Sequence, residues 1–331
     1  MKLFANSIKT KIACIFAFFV FGLTDSICSY ADALQDTIQK AEQIYEAARI
    51  TCSGISSEIA KISTISKANT AVTAVGTVAA TGALAAGIKK SQEEEEIEKL
   101  IDEMCNKHNA CTAEGVEQMS DEDFFNNVLM TMAGIAELQK KIDKSRTLGN
   151  WRTGLLAGTV GTNLASAIMS GLNINQSDLV QHITACNRVI ESMQDVEMEL
   201  KKVGADPIRT SVVRNISNVR TWCNQLNAKD VEKIENRMKG VLGTSVVGGV
   251  IGIVGVGTSA AANSDKYMKT EKKFRLTESE KQTEHALNTT ANVMAGANVV
   301  TGAVETGLNI SLITLTNNLI KTAKRCEEVL K

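Results

Sequence analysis

Residues 240–262 read GVLGTSVVGGVIGIVGVGTSAAA, 23 residues without a charge. As a helix rising about 1.5 Å per residue this run reaches roughly 34 Å, enough to cross a hydrocarbon core of about 30 Å. Its glycines cut both ways. In a water-facing helix each costs about 0.5–1 kcal/mol relative to Ala, whereas between packed helices the missing side chain lets two backbones approach. Gly248, Gly252 and Gly255 are the small residues expected at such an interface, and a membrane span or an Ala/Gly seam inside a soluble bundle would both use them. Three weaker copies of this uncharged character recur. One is 68–88, with Gly76 and Gly82 and a face of Thr70, Thr73, Thr77 and Thr81 that makes it a marginal span. Another is 153–177, with Gly158. A fourth carries Gly296 but also Glu305, Asn288, Asn292 and Asn298, a poor composition for a span.

The rest of the composition points to long helices. The chain has 331 residues, a formal net charge of -1, 4% aromatics and a single proline, which argues against a nucleic-acid binder and against a loop-rich β protein. Met1–Ala31 reads as a secretory signal, with Lys2, Lys9 and Lys11 before the apolar run 12–23 and Ser29-Tyr30-Ala31 as the cleavage site; an uncleaved anchor helix is the rival. Cleavage would remove Cys14 and Cys28 and leave Cys52, Cys105, Cys111, Cys186, Cys223 and Cys326. An even number in an exported chain predicts bridges, although spacing alone allows about 15 connectivities.

From Asp32, the positions Leu34, Ile38, Ala41, Tyr45, Ala48, Cys52, Ile55, Ile59 and Ile62 alternate steps of four and three, the seam of a long amphipathic helix packed at coiled-coil angles. Ser91 with Glu94 predicts a capping box that starts an acidic helix over 92–104, closed by CNKHNAC at 105–111. Ser120 with Asp123 predicts a second helix start, and Gly149-Asn150 an interruption. Val203-Gly204-Ala205-Asp206-Pro207 is a clear break, with Gly ending one helix and Pro in the first turn of the next.

The chain after Pro207 repeats the chain after Asp32. An offset of 171 places Ala41, Tyr45, Arg49, Cys52 and Ile55 on Val212, Ile216, Arg220, Cys223 and Leu226. An offset of 136 places Gly171-Leu172-Asn173-Ile174 on Gly307-Leu308-Asn309-Ile310, and four further residues bring Leu179 and Cys186 onto Leu319 and Cys326. Chance explains the apolar matches, but poorly explains Arg, Cys and GLNI falling together. The offsets differ by 35 residues, so the first copy has that much extra chain between its halves, where the acidic run and CNKHNAC lie.

In an antiparallel hairpin the numbers of facing residues have a constant sum. Pairing Cys52 with Cys186 centres one hairpin near 119, and pairing Cys223 with Cys326 centres the other near 274; both centres also set uncharged stretch against uncharged stretch. This predicts disulfides within each copy, with Cys105 and Cys111 left to each other. The rival pairs Cys186 with Cys223 across the break at Pro207. The charged segment Lys266–Lys281, which has no apolar period, is predicted to be an exposed tip.

The expected fold is therefore all-α: two internally duplicated, long antiparallel helical hairpins, 32–204 and 205–331 after a signal at 1–31, with Gly/Ala-rich small-residue helices and coiled-coil-like packing. No catalytic, cofactor or metal site is expected. Cys105, His108 and Cys111, or His182 with Cys186, fall short of a four-ligand zinc pattern, and no GxSxG, HExxH or phosphate-loop motif occurs. Two functional classes remain. One is a non-enzymatic, exported, membrane-associated component of the cell envelope, structural or part of an assembly. Its basic hairpin tips, such as Lys140, Lys144, Lys269 and Lys272, would lie on the cytoplasmic side. The other is a periplasmic or secreted helical rod that acts as a scaffold or inserts into a membrane as α-helical pore formers do. Expected partners are membrane lipid, other helical envelope proteins or a second copy of the chain, and not nucleic acid.

Overall fold

The computed structural model describes residues 26–107, 121–202, 207–273 and 276–331. These are helical almost throughout, with no strand among them: α1 (Ser26–Thr51), α2 (Ile55–Lys107), α3 (Asp121–Leu172), α4 (Ser177–Lys202), α5 (Pro207–Cys223), α6 (Ala228–Ala262), α7 (Thr270–Lys273) and α8 (Glu278–Val329). Joined across their short breaks they give four helical segments long and apolar enough to cross a membrane: Leu34–Cys105, Met132–Lys202, Pro207–Ala262 and Glu278–Val329. The signal expected at the N-terminus falls largely on 1–25, outside the described residues, as do His108 and Cys111.

Two compact units cut across both sequence copies. Unit 1 gathers Met1–Ile65, Ile174–Asn236 and Ser311–Lys331; unit 2 gathers Ser66–Asn173 and Arg237–Ile310. In unit 1, α1 packs on α4 and α4 on α5 around an apolar interior that includes Ala48, Ile59, Ile183, Ile190, Ile216 and Ile234. The Cys52–Cys186 bridge (Cα–Cα 4.9 Å) and the Cys223–Cys326 bridge (4.7 Å) lie in this interior. The sulfurs of Cys52, Cys186 and Cys326 fall within 4.8 Å of one another, so the two bridges stack. Tyr45 donates from its hydroxyl to the Val329 carbonyl (2.6 Å), and Glu327 accepts from both the backbone and the hydroxyl of Ser56 (2.9 and 2.8 Å). Glu197, 5% exposed, takes hydrogen bonds from Lys201 and Arg220. Burial works against its charge, but these two cations hold the carboxyl below its ordinary range.

Each copy breaks its helix at the cysteine. In the first, Cys52-Ser53-Gly54 leaves the helix with Gly54 at φ 84°, a left-handed conformation that a Cβ would strain; in the second the chain leaves the helix after Cys223. The single long helix expected from Asp32 onward is thus two, although its seam carries on across the break, with Cys52, Ile55, Ile59 and Ile62 all buried. Where the second copy has four more residues, α8 runs unbroken through Gly307–Ile310, while the first copy unwinds at 173–176.

Unit 2 has the expected hairpin register. Facing residue numbers in the first copy add to 238 for Gly76 with Thr162, 239 for Asn69 with Ser170 and 237 for Lys141 with Glu96. In the second they add to 550 for Ser245 with Glu305 and 549 for Gly255 with Met294. The extra length of the first copy prolongs its hairpin: Ile97, Leu138 and Ile142 form an apolar cluster, with acidic α2 beside basic α3 through Glu96–Lys141 (2.6 Å) and Glu93–Lys144.

Three local expectations are corrected. The helix does not start at Ser91, because α2 runs through it and the Ser91 hydroxyl instead donates back to the Gly87 carbonyl at 3.2 Å. Gly149-Asn150 does not interrupt α3; the missing Cβ of Gly149 leaves room for the Asn263 amide, which donates to Asn150 Oδ1 at 2.5 Å. The segment Lys266–Lys281 is not wholly exposed: Tyr267 and Met268 are buried, and Lys273 is buried against both oxygens of Glu284 at 2.7 Å. Its charge is buried as a pair, which an argument from apolar periodicity does not see.

Candidate functional site

The buried positions of α8 step by three and four from Glu284 to Leu330, but the chemistry of that seam changes along it. Within unit 2 it reads Asn288, Ala291, Ala295, Asn298, Gly302, Glu305 and Asn309; within unit 1 it reads Leu312, Thr316, Leu319, Ala323, Cys326 and Leu330. The other helices of unit 2 repeat the pattern. On α6 the inward face is Ser245, Gly248, Gly252, Gly255 and Ser259, while Val246, Val247, Val250, Ile253 and Val254 are exposed. Among the described residues, 18 of the 23 buried polar or charged side chains and 18 of the 21 exposed large apolar ones belong to unit 2. Apart from the apolar clusters at Ile97–Leu138–Ile142 and Ala83–Leu156–Ala295, unit 2 is therefore largely inside-out, with small and polar residues predominating within and Val, Ile and Leu without, which is the reverse of unit 1.

Three groups of residues make up the polar interior. At the end toward the hairpin tips, Arg152 is fully buried. It donates from Nε to Ser259 (2.8 Å), from Nη1 to Asn292 (3.1 Å) and from Nη2 to Asn288 (2.8 Å). Lys90, also fully buried, pairs with Glu94 and donates to Asn288 Oδ1 (3.1 Å), and the Asn288 amide donates to Glu94 Oε2 (2.5 Å). Two cations and one carboxylate are thus tied by two asparagines into one network.

Next along the axis, the Asn298 amide is best oriented to donate to the Gly248 carbonyl (2.8 Å) and accept from Gly252 N–H (3.3 Å), the two ends of one helical hydrogen bond. A Cβ on Gly248 would meet Asn163, and one on Gly252 would meet Val160. The small-xxx-small step makes room here for a buried amide to reach backbone.

Third, each of the four long helices of unit 2 sends one side chain to a single point. Glu305 Oε1 on α8 accepts from Thr73 of α2 (3.0 Å), Ser245 of α6 (2.8 Å) and Ser166 of α3. One turn away the Asn69 amide donates to Ser170 (3.1 Å) and Asn309 (3.3 Å).

The remaining glycines follow the same logic. Gly76 admits Thr162, Gly82 admits Leu155, and Gly255 admits Met294 and Leu156. At Gly158, which is exposed, and Gly296, which is half-buried, both expected as packing residues, an added Cβ would meet nothing within 4 Å, so neither is a close helix-packing contact. Gly87 and Gly302, against Asn292 and Thr77, take a packing role as well; the signal for Gly87 was the seam of threes and fours continuing beyond Ile62 on α2. Of the Thr face expected on 68–88 only Thr73 is buried. His182 faces Glu58 (3.1 Å), and the neighbouring Cys186 is in its bridge, which leaves no thiolate there to ligate a metal. At the head of α8, Thr277 and Glu280 form a capping box the sequence reading missed; the Thr277 backbone N–H first, then Lys266, pulls the Glu280 carboxyl down to about 2.

Protein-family models, curated proteins and solved structures were all searched, and none matches this chain.

Proposed function

We propose that this chain is a non-enzymatic, exported protein of the cell envelope whose unit 2 spans a membrane four times as a structural or assembly component. The observation that carries this is the inversion of unit 2. An outer surface of Val, Ile and Leu is unfavourable in water, whereas in lipid it is the favourable surface and the polar residues belong inside. Glu305, Asn288, Asn292 and Asn298 made the fourth stretch a poor span on composition; all but the half-buried Asn292 are buried, which removes the objection. In chain order each apolar segment runs between disulfide-bearing unit 1 and a hairpin tip. In this reading the Cys52–Cys186 and Cys223–Cys326 bridges lie in an oxidising compartment and the lysines Lys140, Lys144, Lys269 and Lys272 on the cytoplasmic side.

Carbonate extraction of a membrane fraction should leave the protein in the pellet. Recovery wholly in the supernatant would sink the four-span reading and favour a secreted rod. A sharper variant is Val250→Lys, since Val250 is 58% exposed at the centre of 240–262. Lys at the centre of a lipid-facing helix costs about 2.5–3.5 kcal/mol, so the inserted fraction should fall steeply. On a water-facing helix the same change stays within about 0.5 kcal/mol, and unchanged yield and fractionation would count against insertion.

A further inference from the structure

We propose that the two stacked bridges of unit 1 form a thiol–disulfide exchange site, at which a small external thiol attacks Cys52 and the opened bond is passed through Cys186 to Cys326. The site lies wholly in unit 1, so it stands whether or not unit 2 lies in lipid.

The helix break at Cys52 sets the way in. The turn Cys52-Ser53-Gly54, with Gly54 in its left-handed conformation, borders a cavity of about 430 Å³, which is within the size range of small-molecule sites. Of the four cysteines in the two bridges, Cys52 alone lines this cavity. It is 1% exposed and is reached through the cavity; Cys186, Cys223 and Cys326 are fully buried. Arg49 and Lys331 bring two cations to the lining, which favour the thiolate form of an entering thiol. The carboxylate of the lining, Glu327, is taken up by the backbone N–H and the hydroxyl of Ser56.

The stacking sets the way on. The sulfurs of Cys52, Cys186 and Cys326 lie within 4.8 Å of one another, and Cys223 falls outside that trio. Cys326 is therefore the sulfur that the second bridge turns toward the first. A thiolate attacking Cys52 Sγ forms a mixed disulfide there, breaks the Cys52–Cys186 bond and leaves the electron pair on Cys186 as a thiolate. That sulfur swings about its Cα–Cβ bond onto Cys326 Sγ, forms a Cys186–Cys326 bond and expels Cys223 as a thiolate, which takes up the proton the entering thiol gave up. Two disulfides and one thiol enter the sequence and two disulfides and one thiol leave it, so no further oxidant or reductant is needed. The native bonds each stay within one sequence copy, whereas the new one ties the first copy to the second.

The test is to incubate the purified full chain under native conditions with mercaptoethanol, trap free thiols with an alkylating reagent and map the unreduced peptides by mass spectrometry. Among these four cysteines, the expected product carries the mercaptoethanol adduct on Cys52, a 186–326 linked peptide and the alkyl label on Cys223. An adduct on Cys52 with the label on Cys186 would show opening without transfer and would overturn the relay. An adduct on Cys186 or Cys223 would overturn Cys52 as the entry. Label spread over all four, or no reaction under native conditions, would overturn the site altogether. The double variant Cys223→Ala, Cys326→Ala removes the acceptor. Its label should move to Cys186, and a Cys186 that stays unlabelled there would overturn Cys326 as the acceptor.

Discussion

Replacing both members of either bridge by Ala is expected to lower the unfolding free energy by about 4–5 kcal/mol in the chain-entropy estimate, because each closes a long loop. The separations are 134 residues for Cys52–Cys186 and 103 for Cys223–Cys326. Urea or heat midpoints of the two double variants should show it, and excess reductant should reproduce it in the unaltered protein. Both cysteines of a pair have to be replaced together. With the sulfurs of Cys52, Cys186 and Cys326 within 4.8 Å of one another, a single freed thiol would sit beside an intact bridge and exchange with it. Non-reducing peptide mapping should recover the 52–186 and 223–326 peptides. A 186–223 peptide would refute this pairing.

Arg152→Ala is expected to cost a further about 3–5 kcal/mol, the range for breaking a buried charged network by removing one member. The guanidinium supplies three donors, and its loss leaves Ser259, Asn292 and one contact of Asn288 without them, while Glu94 keeps only Lys90 as a cation. Arg152→Lys should restore little, since one ammonium cannot span three acceptors held by α6 and α8. A loss below about 1 kcal/mol for Arg152→Ala would show that the network is hydrated or loosely held and would weaken the view of unit 2 as a fixed polar core.

Local signatures were the least secure part of the sequence. Ser91-x-x-Glu94 and Thr277-x-x-Glu280 have the same pattern, yet only the second starts a helix. Thr277 follows non-helical residues, so its side chain finds a free N–H, whereas Ser91 sits in the middle of α2 and finds the carbonyl of Gly87 instead. Glycine was ambiguous for a related reason. Gly82 and Gly158 have similar neighbours in sequence, and only the fold puts one against Leu155 and the other on the outer face.

What the sequence by itself determined is the helical class and the antiparallel register; it narrowed the cysteines to pairing within each copy or a Cys186–Cys223 link, and the structure chose the former. These follow from period and symmetry: seams of threes and fours run along the long helices, and a duplicated cysteine pair with a constant index sum leaves two arrangements. What only the tertiary structure decided is the sign of the pattern. A seam of Asn288, Asn298, Glu305 and Asn309 has the same spacing as one of Leu312, Leu319 and Leu330, so periodicity locates a face without saying whether it turns inward. Four such faces meet in unit 2, where the hydroxyls, amides and charges satisfy one another and the glycines let them reach. Burying that network together is what leaves the valines outside.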